Sequence, residues 1–431
     1  MILGIGVLFM KIKVKKKTFE EVLSLPVKKR QKPIRQSRIL KLLVAILSFF
    51  ELRKVKFKYN CFGMEKLDKK QPCLILMNHS SFLDLKIAFR IFRKRRFNIV
   101  STEDTFIGKK TLMRFLGCTS TLKFLPDTML VRDMMYIINK LNCSVLMYPE
   151  ACYTFDGTAT TMPEKSLGKC LKLLKVPLVI VETKGAFHYD PLYNGLQLRK
   201  VDVSADVTYV LSPEEIAQKS VDELNDIIKK YFSFDNFKWQ QENKIKISEP
   251  FRADGLNRVL YKCPHCLKEG MMVGKGTTLK CEHCNAEYEL TEYGFLKNLN
   301  GESKFSHVPD WYKWERECVK QEVLNDSYIL DTEVDIYMVV DSKCFYKVGD
   351  GRLTHTKAGG FNLVGCEGKL KYNQKPGSLY CLNSDFFFYE IGDVIGIGDQ
   401  TARYYCFPKN SKDVVCKARL AQEEIYKIYN S

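Results

Sequence analysis

The stretch Asn78-His79-Ser80-Ser81-Phe82-Leu83-Asp84 ends a short apolar run, CLILM, and places an imidazole five residues before a carboxylate. On one continuous helix that offset turns about 140°, so the two side chains would not share a face. If His79 lies in a strand-to-helix turn and Asp84 in the first helical turn, the chain folds back and they meet. An imidazole oriented by a carboxylate is a general base, because the carboxylate fixes the tautomer and stabilises the imidazolium. Such a base deprotonates a substrate hydroxyl directly, without a serine or cysteine nucleophile. The other reading of the same spacing is a histidine that caps a helix beside an Asp.

A second constellation is Cys263-Pro264-His265-Cys266 followed by Cys281-Glu282-His283-Cys284, two CxxC knuckles with fourteen residues between them. Four thiolates at that spacing predict a closed tetrahedral site for structural Zn2+, a zinc ribbon with no open position for catalysis. His265 and His283 are expected at the surface. The remaining cysteines read as reduced thiols in a cytoplasm. His188, His307 and His355 have no partner at ligand spacing and are expected to be structural. Trp311-Tyr312-Lys313-Trp314 reads as packing at a domain contact rather than as a ligand site.

These groups need elements to hold them. From about 73 to 211, apolar runs alternate with helical patterns. CLILM (73–77), NIVS (98–101), SVLMYP (144–149) and PLVIVET (177–183) read as buried strands. Helices are predicted over 82–93, opened by Ser80 or Ser81, over 129–141, capped by Asp127, over 165–175, and over 213–232. The alternation predicts an α/β domain over 61–250, a mixed and largely parallel sheet flanked by helices, with His79 at the mouth of a buried strand. The cysteine knuckles form a compact unit over 258–295. Beyond about 325, short β-rich runs recur at roughly ten-residue spacing between Gly, Asn, Asp and Pro. The end, VVCKARLAQEEIYKIYN, reads as a helix. Strands closed by such a helix resemble a pleckstrin-homology-like all-β barrel over 325–431.

Composition narrows the partners. Of 431 residues, 45% are hydrophobic and 27% charged, which describes folded domains and not a disordered chain. The net charge is +18, yet the first 60 residues hold sixteen Lys or Arg against three Glu, so the rest is nearly balanced. A basic arm over 1–60 implies an anionic partner, a lipid surface or a nucleic acid. Within it, residues 39–50 read ILKLLVAILSFF, short of the roughly 20 residues needed to cross a bilayer. This segment suits an amphipathic helix lying in the membrane interface, its flanking Lys and Arg reaching the phosphates. A core helix of the first domain is the alternative. Residues 1–10 are apolar but lack the flanks of a signal peptide, and Met10 would serve as a start as well as Met1.

Three further stretches follow the first in order: Leu130-Val131-Arg132-Asp133, Tyr148-Pro149-Glu150-Ala151-Cys152-Tyr153-Thr154, and Val176-Pro177-Leu178-Val179-Ile180-Val181. Together the four resemble the blocks of the glycerolipid acyltransferase family, over about residues 60–210. The resemblance implies transfer of a fatty acyl group from a thioester, acyl-CoA or acyl carrier protein, to a lysophospholipid hydroxyl. In the best-known members the acceptor is 1-acyl-sn-glycerol-3-phosphate and the product phosphatidic acid. It implies His79 as base held by Asp84, with Asn78, Arg132, Glu150 and Lys184 around the substrate and Arg132 on the acceptor phosphate. No redox cofactor is required. Glu150 is expected to organise the loop, and backbone amides at the helix start to receive the oxyanion. The place implied is peripheral, on the cytoplasmic face of a bacterial-type cell membrane.

The third block departs from the family. Ala151 stands at the usual Gly, and Cys152 and Tyr153 stand where the block's variants carry a phosphate-binding arginine. Lys165, Lys169 or Lys184 would have to supply that charge. The departure favours a rival reading, a lipid-binding scaffold on a catalytically degenerate domain. A nucleic-acid-binding zinc-ribbon protein is the other rival. It leaves the four blocks without a reason, so nucleic acid is not the expected partner.

Overall fold

The computed structural model describes residues 12–26, 30–123, 125, 127–162, 166–409 and 414–430. The readings made for residues 1–10 and Lys165 lie outside the described residues. Strand Leu74–Met77 runs through the middle of a seven-stranded mixed sheet and is buried on both faces. Leu74 and Leu76 join one core, Ile75 and Met77 the other. A strand covered on both sides reads as a continuous apolar run, which is how CLILM appears in the sequence. The sheet order is Lys58–Phe62, Ser204–Leu211, Leu178–Lys184, Leu74–Met77, Ser144–Met147, Phe97–Thr102, Cys118–Thr121. All neighbours are parallel except Leu178–Lys184 with Ser204–Leu211.

Two helix expectations need correction. The helix after the central strand is Asp84–Ile91, not 82–93. Ser81 Oγ accepts from Leu83 N at 2.9 Å and Ser81 O accepts from Asp84 N at 3.1 Å, a tight turn that delays the helix. The segment 213–232 is two helices, Pro213–Gln218 and Val221–Tyr231. Each has its own capping box, Ser212 with Glu215 and Ser220 with Glu223, and the second box breaks the run.

The N-terminal 60 residues are not one arm. Val14–Lys16 pairs in parallel with Phe345–Lys347 of the C-terminal sheet. The short helix Phe19–Leu23 follows, and its Phe19 and Val22 are buried in a core shared with that sheet. Arg30 bridges Asp127 and Asp133 at 2.8 and 2.9 Å. Helix Arg38–Lys54, capped by Ser37, then packs against Asp84–Ile91.

Four antiparallel strands lie between Met272 and Asn298; the second cysteine knuckle opens at the end of Thr278–Cys281, and the first precedes the sheet. Helix Val308–Leu324 packs onto them through Trp311, which is fully buried and donates from Nε1 to Lys262 O at 3.0 Å. The C-terminal region is all-β. Its antiparallel path runs Leu370–Gln374, Gly360–Gly365, Phe345–Thr356, Ile329–Met338, Arg403–Pro408, Gly392–Gly398, Asn383–Phe388. The expected closed barrel is corrected to a curled sheet, since its end strands do not pair in a ladder. Gln374 Oε1 accepts from Gly398 N at 2.9 Å and draws the edges together. Helix Val414–Asn430 packs on Asn383–Phe388 and Gly392–Gly398.

Candidate active site

Asn78 fixes the end of the central strand. Its Oδ1 accepts from Thr183 N at 2.7 Å and its Nδ2 donates to Thr183 O at 3.2 Å. Beyond that anchor the chain turns, and the His79 ring falls back over the first helical turn. His79 Nδ1 lies 3.0 Å from Asp84 Oδ2, and the same oxygen accepts from Ser80 N at 2.8 Å and Ser81 N at 3.1 Å. Asp84 is fully buried, so these bonds set its direction. With Nδ1–H facing the carboxylate, Nε2 is the ring nitrogen left for a substrate hydroxyl. The same geometry commits the amides of Ser80 and Ser81 to Asp84.

The third block encloses the imidazole. Tyr148 and Tyr153 stack on His79 with centroids 4.1 and 3.8 Å away. Glu150 is fully buried, accepting from His79 N at 2.8 Å and Thr160 N at 2.9 Å. Burial pushes its carboxyl up to about 8 against the pull of those two amides. Ala151 adopts φ 55°, a left-handed conformation in which glycine is ordinarily found.

Cys152 meets an arginine after all, from the far end of the chain. Arg419 Nη2 lies 2.8 Å from Cys152 Sγ, its Nη1 donates to Tyr153 O at 3.3 Å, and its guanidinium sits 4.3 Å over the Phe155 ring. Burial raises the Cys152 thiol, but a hydrogen bond from Cys381 and the charge of Arg419 outweigh it, bringing it to about 6. Glu423 completes the cluster, with Arg316 at 2.7 Å and Arg419 at 3.3 Å. Burial would raise its carboxyl, yet the two guanidiniums hold it down to about 2.

His79, Tyr148, Cys152 and Tyr153 line a cavity of about 740 Å³. Its far wall comes from the C-terminal region, including Tyr380, Asp385 and Phe388, and Val44 of helix Arg38–Lys54 also reaches it. The charged lining residues besides His79 are Lys86, Asp104, Lys123, Asp127 and Asp385. Lys86 is bonded to Glu51 at 2.6 Å. Burial pushes the Asp385 carboxyl up to about 7, with Lys123 opposing.

Of the residues singled out from sequence, His79, Asp84, Asn78 and Glu150 are brought together. Arg132 is exposed, its guanidinium 3.7 Å from Met129 Sδ, and it does not line the cavity. Lys184 pairs with Asp206 at 2.6 Å, also outside the cavity. Lys169 is exposed. The stacking tyrosines were present in the third block without a spacing rule to flag them. Arg419 and Asp385 carried no sequence signal.

Cys263, Cys266, Cys281 and Cys284 converge, all Sγ atoms lying within 4.8 Å of one another, with pairs at 3.7 Å. A tetrahedron with metal–sulfur bonds of about 2.3 Å has sulfurs roughly 3.8 Å apart, so the set fits a metal ion. Among the other histidines, His188 is buried against Asn236 O at 2.9 Å, His307 pairs with Asp235 at 2.8 Å, and His355 bonds the Tyr328 hydroxyl at 3.1 Å.

No helix among the described residues is long and apolar enough to cross a membrane. Residues 58–182 match the family described as Acyltransferase. Among solved structures, the chain is similar to the 1-acyl-sn-glycerophosphate (LPA) acyltransferase PlsC from Thermotoga maritima. Identity is 17% and the TM-score 0.36, over 45% of this chain and 78% of that one. The His79–Asp84 pair and the third block thus both lie within the part of the chain that matches the Acyltransferase family.

Proposed function

We propose that the protein transfers a fatty acyl group from a thioester, acyl-CoA or acyl carrier protein, to the hydroxyl of a lysophospholipid. The observation that carries this reading is the imidazole clamped by Asp84 with Nε2 left at a large, mostly apolar cavity. Nε2 takes the hydroxyl proton as the oxygen bonds to the thioester carbonyl carbon. The tetrahedral intermediate then collapses, the C–S bond breaks, and His79 returns the proton to the departing thiolate. The acceptor expected from the family is 1-acyl-sn-glycerol-3-phosphate. With Arg132 and Lys184 outside the cavity, Lys123 is the cation we assign to its phosphate.

Helix Arg38–Lys54 supports a peripheral membrane location. It turns Ile39, Leu42, Leu43, Ile46 and Leu47 outward at 46–80% exposure while burying Lys41 and Ser48. An inverted face of this kind suits the bilayer interface, and the side we assign is the cytoplasmic one. The four cysteines are assigned a structural Zn2+, which would tie the ribbon to the Trp311 core.

A non-catalytic lipid-binding role is the second reading, favoured by Cys152 at the arginine position. Thiol release from an acyl thioester, measured with lysophosphatidate present, separates the two. The wild type is expected to release thiol in step with ester formation, and His79→Ala to fall by about 10³-fold or more. Equal rates in the two proteins would overturn the catalytic reading.

A further inference from the structure

At the opposite end of the same strands lies a second cavity, of about 470 Å³. Nine of its fifteen lining residues are Lys or Arg, drawn from the segments 35–41, 69–70 and 93–96, and none is Asp or Glu. Three of these side chains, Arg35, Lys41 and Arg95, are held by main-chain carbonyls. Arg35 donates to Leu141 O at 2.8 Å, Lys41 to Phe92 O at 2.9 Å and to Arg95 O, and Arg95 to Asp68 O at 2.7 Å. Carbonyls position the cations without neutralising them. Lys41 is 7% exposed, and burial, with Arg95 and Arg96 beside it, brings its ammonium down to about 8. So many like charges in one concavity repel one another, and an anion with several oxygens relieves that repulsion.

The site is far from the chemistry. Gln71 and Pro72 line this groove at the start of the central strand, whereas His79 follows its end. At about 3.3 Å per residue the two are roughly 20 Å apart. An anion seated here is therefore not the group that reacts at His79. Its neighbour is the apolar ridge of helix Arg38–Lys54, whose Leu42 and Ala45 line the groove. A soluble phosphate has no use for that ridge, whereas a phospholipid brings both the phosphate and the chains.

We propose that this groove is a headgroup site for an anionic phospholipid of the bilayer, the phosphate among Arg38, Lys41 and Arg93–Arg96 and the acyl chains along the exposed ridge. It deepens the membrane reading given above and does not depend on His79 being a base. Because Val44 of the same helix lines the catalytic cavity, a lipid held here keeps that cavity at the interface.

The test uses the full chain floated with phosphatidylcholine vesicles, with and without phosphatidylglycerol. Reversal at the groove (Arg38→Glu, Arg93→Glu, Lys94→Glu) is compared with reversal at exposed positions elsewhere (Lys229→Glu, Lys230→Glu, Lys280→Glu). The groove variant is expected to lose at least about tenfold in affinity for the phosphatidylglycerol vesicles and the control less than about threefold. If the triple variant fails to fold, the single reversals at Arg38 and Arg93 are each expected to lose about threefold. Equal losses in groove and control variants, or no loss in the groove variant, would overturn the proposal. So would displacement of the wild type from vesicles by free CoA or a short DNA duplex, but not by glycerophosphoglycerol, since the groove would then take nucleotide phosphates. His79→Ala is expected to float like the wild type, so this assay and thiol release fail separately.

Discussion

The bonds that orient the His79 ring come from residues 79–84, within one turn of chain. The loop 148–154 that stacks on the same ring is held by Arg419, whose partner Cys152 is 267 residues away. One wall of the site is thus built locally, the other through the C-terminal helix. In the third block a thiol stands at the position of the expected arginine, and an arginine arrives from the C-terminal helix. The charge there is spent on Cys152 and Glu423 and holds the loop in place, and Arg419 does not line the cavity. This difference teaches that the C-terminal sheet is part of the candidate site and not an appended module.

Four substitutions sharpen the contrast, beginning with the largest effect. Arg419→Ala leaves Glu423 buried with one guanidinium instead of two and frees the loop carbonyl of Tyr153. A loss of about 3 kcal/mol in urea unfolding is expected, with turnover falling although the His79–Asp84 pair is untouched. An unchanged unfolding midpoint would sever the C-terminal helix from the loop. Glu150→Gln is smaller. A carboxamide has one acceptor oxygen, so only one of the two amides, His79 N or Thr160 N, keeps its bond. The expected cost is about 1–3 kcal/mol by thermal melting, with turnover down about tenfold. Arg132→Ala and Lys184→Ala should do least. Both side chains lie outside the cavity, and the half-exposed Lys184–Asp206 pair contributes little. Steady-state assays should show KM for the acceptor unchanged within about twofold. A tenfold rise in KM for either would restore that residue to phosphate binding.

How far the sequence carried these conclusions follows the same divide. CLILM, the His79–Asp84 spacing and the two cysteine knuckles are local patterns, and each has the structural counterpart its spacing implied. The helix after the strand was placed two residues early because the Ser81 hydroxyl serves the turn instead of a cap. Residues 1–60 read as one basic arm because charge density says nothing about pairing, and Val14–Lys16 finds its strand partner more than 300 residues on. Arg419 is one cation on a helix, and nothing in its neighbours announces Cys152. The basic groove was similarly hidden, since its cations come from three segments that are adjacent only once the sheet is folded.

The central claim, that Asp84 makes His79 a base, is tested most directly by single-turnover acyl transfer in Asp84→Asn. All three bonds converge on one oxygen, so an asparagine whose Oδ1 takes that place keeps its size and its acceptor while removing the negative charge that favours the imidazolium. The rate is expected to fall by about 10³–10⁴-fold while donor binding is retained. A rate within about tenfold of the wild type would contradict the account.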